Sequence, residues 1–233
     1  MAFNFSPKPV IDNSLVFYLD AANTKSYVSG STDWNSIAKT QTSASLTNGP
    51  TFSSNNKGVI VFDGVNDYVI NSSVPNIPTG SSARTIQLWA YTTVDTNNFI
   101  QLGTGGGSNQ VYIFSFYNVG GTRYLFTDGI NASNNLTISG SQLPTLNVWN
   151  HLTFGNSGQN WFYYLNANLQ RSGTFAATLN TVGQKVLIGK RDDYAPTPGY
   201  VNGRIAQVSI YNKALSASEI LQNYNATRSR FNL

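Results

Sequence analysis

The chain has 233 residues, a formal net charge of +4 and no cysteine. Only 10% of the residues are charged, against about 25% in a typical globular domain, so Asn, Ser, Thr and Gly supply most of the polarity. The sparse Lys and Arg residues exclude a nucleic-acid-binding patch, the absence of cysteine excludes thiol catalysis, and no apolar run approaches the ~20 residues of a membrane-spanning helix.

Short apolar and aromatic runs recur along the chain, separated by clusters of Gly, Asn, Pro and Ser. Many of them alternate with period two, as in Ile86, Leu88 and Ala90, which is the pattern of a strand with one buried face. The runs are 15–20, 59–62, 67–70, 85–92, 99–103, 111–117, 123–128, 135–139, 149–155, 161–166, 185–190 and 205–212. Such a series, with turn residues between the runs, predicts two packed antiparallel sheets. Residues 21–57 are polar and poorly periodic, which predicts a long surface loop with short strands.

The last segment of the chain has a different pattern. Ser216 and Glu219 have the spacing of a capping box, and Ile220, Leu221 and Tyr224 follow at helical intervals. We therefore predict a short helix from about 217 to 225, followed by an extended tail. Because β-sandwiches of this length commonly form one unit, residues 1–233 are predicted to be a single domain.

The order of several motifs resembles that of a known family. They are SLVFYLDAANTKSY, LTNGPTF, GVIVFDGVNDYVI, TIQLWAYTT, WNHLTF and YVNGRIAQVSIYNKALSASEILQNYNATRSRF. Together they resemble a laminin-G-like, concanavalin A-like jelly roll of the lectin/glucanase family, in particular the version found in structural proteins of tailed bacteriophages. The resemblance implies an all-β, two-sheet antiparallel jelly-roll sandwich with a short C-terminal helix. It also implies varied binding roles, frequently without catalysis.

The stretch GVIVFDGVNDYVI contains two carboxylates, Asp63 and Asp67, around a glycine. One interpretation is a tight hairpin turn between two strands, because Asp, Asn and Gly accept left-handed backbone angles. The alternative is the beginning of a calcium site, completed by carboxylates from elsewhere in the chain. No dense run of Asp residues supports the calcium site, so the structural turn is favoured and no cofactor is predicted, with calcium as the alternative.

Catalytic carboxylates and histidines are scarce. Glycosidases use a pair of carboxyl groups at a defined separation, but the single Glu, Glu219, is explained as a helix cap. Asp192 and Asp193 are adjacent, so on a strand their side chains would point to opposite faces. The single histidine, His151, is interpreted as a packed or surface residue of a strand, which argues against both a catalytic triad and a zinc site. We predict that the protein is not an enzyme.

The aromatic residues divide into a core set and a loop set. Trp89, Trp149 and Trp161 lie within strand runs and are predicted to be core. Loop aromatics beside Asn and Asp suit the recognition of neutral sugars, and they equally suit protein interfaces. The candidate glycan-binding residues are Trp34, Asp192, Asp193, Tyr194 and Tyr200.

Taken with the resemblance, these features predict a virion structural protein of a tailed phage, either a head-decoration or a tail-associated surface module. The stretch MAFNFSPKPV has no apolar core of a signal peptide, which fits assembly in the host cytoplasm and display on the virion surface. Segments 1–10 and 226–233 are predicted docking arms for other virion proteins, and the low charge favours a homo-oligomer. The alternative is a glycan-binding adhesin module that attaches to host or environmental polysaccharide, and the remote alternative is a glycoside hydrolase. No nucleic-acid or membrane partner is predicted.

Overall fold

The computed structural model describes residues 8–104, 107, 109–119, 122–128, 134, 136–138, 140–192 and 199–233. Over these residues, sixteen strands form two antiparallel sheets. The strands are β1 (Leu15–Asp20), β2 (Asp33–Asn35), β3 (Ser43–Thr47), β4 (Thr51–Ser53), β5 (Val59–Asp63), β6 (Tyr68–Asn71), β7 (Arg84–Thr92), β8 (Asn97–Leu102), β9 (Tyr112–Val119), β10 (Thr122–Asp128), β11 (Leu136–Thr137), β12 (Trp149–Ser157), β13 (Asn160–Leu165), β14 (Asn168–Thr174), β15 (Val186–Ile188) and β16 (Asn202–Tyr211).

The first sheet has the order β14-β13-β12-β7-β16-β5-β4, with β1 also paired to β16. The second sheet has the order β11-β10-β9-β8-β15-β6-β3-β2. Their inner faces share one hydrophobic cluster, to which Ile86 and Leu88 of β7 and Phe114 of β9 belong. The predicted two-sheet antiparallel sandwich is therefore confirmed.

The first sheet is also covered on its outer face. On β7, Ile86, Leu88 and Ala90 point into the core, while Gln87 and Trp89 on the opposite side are buried as well. The cover is helix α1 (Ala217–Thr227) and the 3₁₀ turn Arg228–Phe231. The central strands of this sheet are consequently buried on both faces, with polar residues such as Gln87 and Thr153 among the outward-facing ones.

Helix α1 begins where the sequence predicts. The Ser216 Oγ accepts from the Glu219 backbone N–H at 3.3 Å, and the Glu219 Oε2 accepts from the Ser216 backbone N–H at 2.8 Å. These two bonds form the predicted capping box. The helix ends at Thr227, two residues beyond the predicted end. No described helix is long and apolar enough to cross a membrane.

The predicted extended tail is wrong, because the chain after α1 folds back onto the first sheet. Phe231 packs between two tryptophans, with its ring centroid 4.2 Å from that of Trp89 and 4.6 Å from that of Trp149. Arg230 forms an ion pair with Asp20 at 2.7 Å. Aromatic burial and this ion pair hold the segment in place. A docking role for 226–233 stays a prediction, as does one for the arm at 1–10, of which 1–7 lie outside the described residues.

The region 21–57 contains short strands within loops, as predicted. Strand β2 forms the edge of the second sheet and pairs with β3 on one side only. On its other side, the Asn35 backbone N–H donates to the Ser26 carbonyl oxygen at 2.7 Å, and the Ser26 hydroxyl donates to the Asn35 carbonyl oxygen at 2.6 Å. The loop before β2 therefore fixes this edge of the sandwich.

Candidate functional site

The turn at Asp63 and Asp67 is built by its own carboxylates. The Asp63 Oδ1 accepts from the backbone N–H groups of Val65 at 2.8 Å and Asn66 at 3.2 Å, and the Asp67 Oδ2 accepts from the Asp63 backbone N–H at 3.0 Å. These backbone hydrogen bonds lower the pKa of Asp63, while burial raises the pKa of Asp67. Among the residues that the structure describes, no group of three or more acidic or histidine side chains could hold a metal ion. These hydrogen bonds give both carboxylates a structural role in the turn, and the calcium alternative stays a prediction.

The predicted hairpin at this turn is wrong. Strand β5 pairs with β4 and β16 in the first sheet, whereas β6 pairs with β3 and β15 in the second. The turn therefore crosses the edge of the sandwich from one sheet to the other. Turn residues of this type specify a chain reversal, and they do not specify whether the two strands pair with each other.

Among the described candidate glycan-binding residues, Trp34 on β2 lies apart from Asp192, which is bonded to Gln101 of β8. Trp34 has no exposed surface and belongs to the core cluster between the sheets, so it cannot stack on a sugar. This prediction was wrong because β2 is only three residues long, and its middle residue points inward between Asp33 and Asn35. Tyr200 is half-buried just before β16.

The segment of Asp192, Asp193 and Tyr194 is described only in part. The Asp192 carboxylate accepts from the Gln101 Nε2 at 2.7 Å and from the Lys185 Nζ at 2.6 Å, so it is tied to the outer face of the second sheet. Asp193 and Tyr194 lie outside the described residues, and their predicted role stays a prediction.

The three strand tryptophans are buried, as predicted, and His151 is the packed one of its two predicted alternatives. The His151 ring centroid lies 5.0 Å from that of Trp89 and 5.8 Å from that of Tyr224. Burial lowers the pKa of His151 to about 3, so the imidazole is neutral at physiological pH. This environment is that of a packed residue rather than a general base.

Several carboxylates have structural roles that account for them. Asp12 and Glu219 both pair with Lys213, at 2.8 Å and 2.7 Å, and these contacts hold both carboxyl pKa values below their usual range. Asp20 pairs with Arg230 at 2.7 Å. A glycosidase pair needs two carboxyl groups that converge across a cleft, and these three are used elsewhere.

An open groove of about 420 Å³ lies at the edge of the sandwich. One wall is Tyr27 and residues 29–32, and the other is Leu46 and residues 49–52; we call it the Tyr27 groove. The Phe52 ring stacks on that of Tyr27 with a centroid distance of 5.3 Å and an interplanar angle of 25°. Binding sites for small ligands are typically concave, mostly apolar, and fitted with a few polar groups, and this groove has that composition.

Hydrogen bonds order the Tyr27 groove. The Leu46 backbone N–H donates to the Thr32 carbonyl oxygen at 2.7 Å and joins the two walls. The Tyr27 hydroxyl donates to the Ser31 carbonyl oxygen at 2.9 Å within one wall. Burial raises the pKa of Tyr27, so its phenol stays protonated, and Tyr27 is the only ionisable residue that lines this groove in the described part of the chain. The groove is therefore uncharged. Its hydroxyl and peptide groups surround the stacked rings of Tyr27 and Phe52, which we call its floor.

The sequence analysis missed Tyr27 and Phe52. The local signals were the turn residues Gly30 and Gly49, which have φ of 86° and 113° and mark reversals that only glycine adopts readily. These glycines predict the two turns of the groove walls, but they do not show that the turns face each other.

A family model described as the concanavalin A-like lectin/glucanases superfamily matches residues 62–221. The chain belongs to this superfamily. The Tyr27 groove is built by residues that precede the matched range, so it is an addition to the part that the family model describes. A search of curated proteins found no match.

Solved structures of this superfamily fold include sugar complexes. Domain 4 of AbnA, a GH43 extracellular arabinanase from Geobacillus stearothermophilus in complex with arabinotriose, has a TM-score of 0.66 at 14% identity, over 91% of this chain and 98% of that one. The ligand-binding domain of botulinum neurotoxin serotype D in complex with N-acetylneuraminic acid has 0.65 at 14%, over 91% and 50%. Trypanosoma rangeli sialidase in complex with sialic acid has 0.65 at 16%, over 94% and 34%. The chain thus spans about half of the neurotoxin domain, and at these identities the likeness shows the fold alone.

Proposed function

We propose that this protein is a glycan-binding module that holds carbohydrate in the Tyr27 groove without cleaving it. The observation that carries the proposal is the groove itself, in which a half-buried Phe52 ring is held by Tyr27 beneath a rim of hydroxyl and peptide groups. The solved neighbours named above bind arabinotriose, N-acetylneuraminic acid or sialic acid, which supports carbohydrate as the ligand class.

The chemistry of the groove suits a sugar ring. The apolar C–H face of a sugar would lie against Phe52, while its hydroxyl groups would exchange hydrogen bonds with Ser29 and Thr32 in the wall. Because the Tyr27 hydroxyl already donates to the Ser31 carbonyl oxygen, the floor is ordered before the ligand arrives. A preorganised floor lowers the entropic cost of binding.

The proposal is tested by a glycan array, followed by titration of the best glycan into the wild-type protein and two variants. Phe52→Ala should weaken binding about tenfold, because truncating a central aromatic contact commonly costs more than 1 kcal/mol. The control is Phe162→Ala, which removes an equally half-buried ring on the first sheet and should leave affinity unchanged. A blank array with folded protein, or equal losses in both variants, would contradict the proposal.

The predicted role as a virion structural protein on the phage surface is independent of this groove and stays a prediction. A surface module of a particle can also bind sugar, so the two roles are compatible. Membership of the superfamily supports the fold. The virion role rests on the resemblance to phage structural proteins described above.

A further inference from the structure

A second open groove, of about 490 Å³, lies near the Tyr27 groove. Its walls are Lys25 on one side and residues 35–37 and 41–43 on the other; we call it the Lys25 groove. Both grooves border the β2–β3 ribbon, one at the Thr32 and Leu46 end and the other at the Ser36 and Thr42 end. Four residue steps separate Thr32 from Ser36, so the two ends are about 13 Å apart.

The backbone of the Lys25 groove is held by hydrogen bonds. The Ser36 backbone N–H donates to the Thr42 carbonyl oxygen at 2.7 Å, and the Asn71 Nδ2 donates to the Ser43 carbonyl oxygen at 2.8 Å. Asn35 is bonded through both of its backbone groups to Ser26. This frame is therefore rigid before any ligand binds.

Three polar side chains of the Lys25 groove take no part in this hydrogen-bonded frame. Asn35, Gln41 and Ser43 are exposed, and none of the three side chains forms a hydrogen bond within the described part of the chain. The Thr42 Oγ1 is buried and also lacks a partner among the described residues.

The charge of the groove is positive. Lys25 forms no ion pair with the residues that the structure describes, in contrast to Lys185 and Lys213. Lys25 is the only charged residue among the described residues that line this groove. A cation beside several hydrogen-bond donors favours an anionic group, because charge-assisted hydrogen bonds are stronger than neutral ones.

The ribbon between the two grooves is polar and exposed on its outer side. Ser45 donates from its hydroxyl to the Asp33 carboxylate at 3.0 Å, and Ser43 and Asn35 are exposed beside this pair. Because side chains alternate along a strand, these residues share one face, while Trp34 and Ala44 point into the core. A chain of sugars leaving the Tyr27 groove would cross this surface without meeting an apolar barrier.

We propose that the Lys25 groove is a second subsite for the same glycan, and that the ligand is an extended acidic oligosaccharide whose carboxylate-bearing unit pairs with Lys25. This inference rests on the proposed function and specifies its ligand class. The neutral aromatic groove holds one unit, the ribbon carries the connecting unit, and the Lys25 groove holds the acidic unit.

The test uses short and long oligosaccharides of a polyuronic acid, together with the same oligosaccharides after chemical reduction of their carboxyl groups. The wild-type protein should bind the long acidic oligosaccharide about tenfold more tightly than its reduced counterpart, and added salt should weaken that preference. Lys25→Gln should abolish the preference and leave binding of the reduced oligosaccharide unchanged. Asn35→Ala should weaken the binding of both long ligands.

The charge control is Lys8→Gln, which removes a lysine whose carbonyl oxygen accepts from Gln222 of α1, on the opposite sheet. Loss of the preference in Lys25→Gln but not in Lys8→Gln supports the inference. Equal binding of acidic and reduced ligands by the wild type overturns the second subsite and leaves the proposed function standing. Failure of every glycan on the array overturns both.

Discussion

Aromatic side chains on the outer face of the first sheet are covered by the chain itself, whereas polar side chains at the β2 edge of the second sheet face solvent. Phe231 of the C-terminal segment contacts both Trp89 and Trp149 of the sheet. At the β2 edge, the backbone carbonyl groups of Asn35 and Ser43 accept hydrogen bonds. Their side chains form no hydrogen bond within the described part of the chain. The comparison teaches that the aromatic cluster of Trp89, Trp149 and Phe231 stabilises the fold and is not available to a ligand. The surface that we propose for binding is distinguished instead by a hydrogen-bonded backbone that presents polar side chains to solvent.

The closed region should respond most strongly to truncation of its central ring. Phe231 is 5% exposed and lies between two tryptophans, so Phe231→Ala should lower the free energy of unfolding by about 3 kcal/mol, as for other buried Phe truncations. Urea denaturation measures this change. Leu233→Ala, at a 45% exposed residue two positions further on, should have almost no effect. A loss below about 1 kcal/mol for Phe231→Ala would mean that the segment is not a structural cover.

Acid should weaken the same region through His151. Its pKa is about 3 in the folded protein because of burial, against about 6.5 in the unfolded chain. Below pH 6.5 the unfolded chain takes up a proton at His151, whereas the folded protein does not until the pH approaches 3. The free energy of unfolding is therefore highest above pH 6.5 and falls progressively as the pH is lowered towards 3. Linkage gives a loss of about 2 kcal/mol between pH 7 and pH 5.

Denaturation at several pH values between 7 and 5 measures this slope, and His151→Gln should flatten it. Most carboxyl groups titrate below this range, so they contribute little to the slope. An identical slope in the wild type and in His151→Gln would show that His151 is not the group responsible.

The cap of α1 should have the smallest effect. Ser216→Ala removes the hydroxyl that accepts from the Glu219 backbone N–H, which should cost about 1 kcal/mol of unfolding free energy. The control is Ser229→Ala, which removes an exposed hydroxyl of the following 3₁₀ turn that forms no hydrogen bond within the described part of the chain, and it should be nearly neutral. Glycan affinity should be unchanged in both variants. A parallel loss of glycan binding would contradict the claim that the face covered by α1 takes no part in binding.

Features that depend on neighbouring residues were predictable from the sequence. The capping box needs only Ser216 and Glu219 three positions apart, and the inward face of β7 needs only the alternation of Ile86, Leu88 and Ala90. The confirmed family follows from the order of such local motifs. Each of these signals lies within one element, so no knowledge of distant contacts is required.

Features that depend on which segments meet were not predictable in the same way. Trp34 is in a polar stretch, and its burial follows from the sheet packed beneath β2. The turn at Asp63 has the residues of a reversal, but the partners of β5 and β6 decide that it joins two sheets. Tyr27 and Phe52 meet only because β3 leads into β4 across the edge of the sandwich, so the groove between them has no signature of its own.

Hydrogen–deuterium exchange of the wild-type protein, with and without the glycan selected by the array, tests the central claim most directly. If the β2 edge is the binding surface, the glycan should slow exchange in residues 27–32 and 46–52 and leave α1 and β16 unchanged. Protection confined to the outer face of the first sheet, or to residues around Asp192 and Tyr200, would contradict the account and place the binding surface elsewhere on the sandwich.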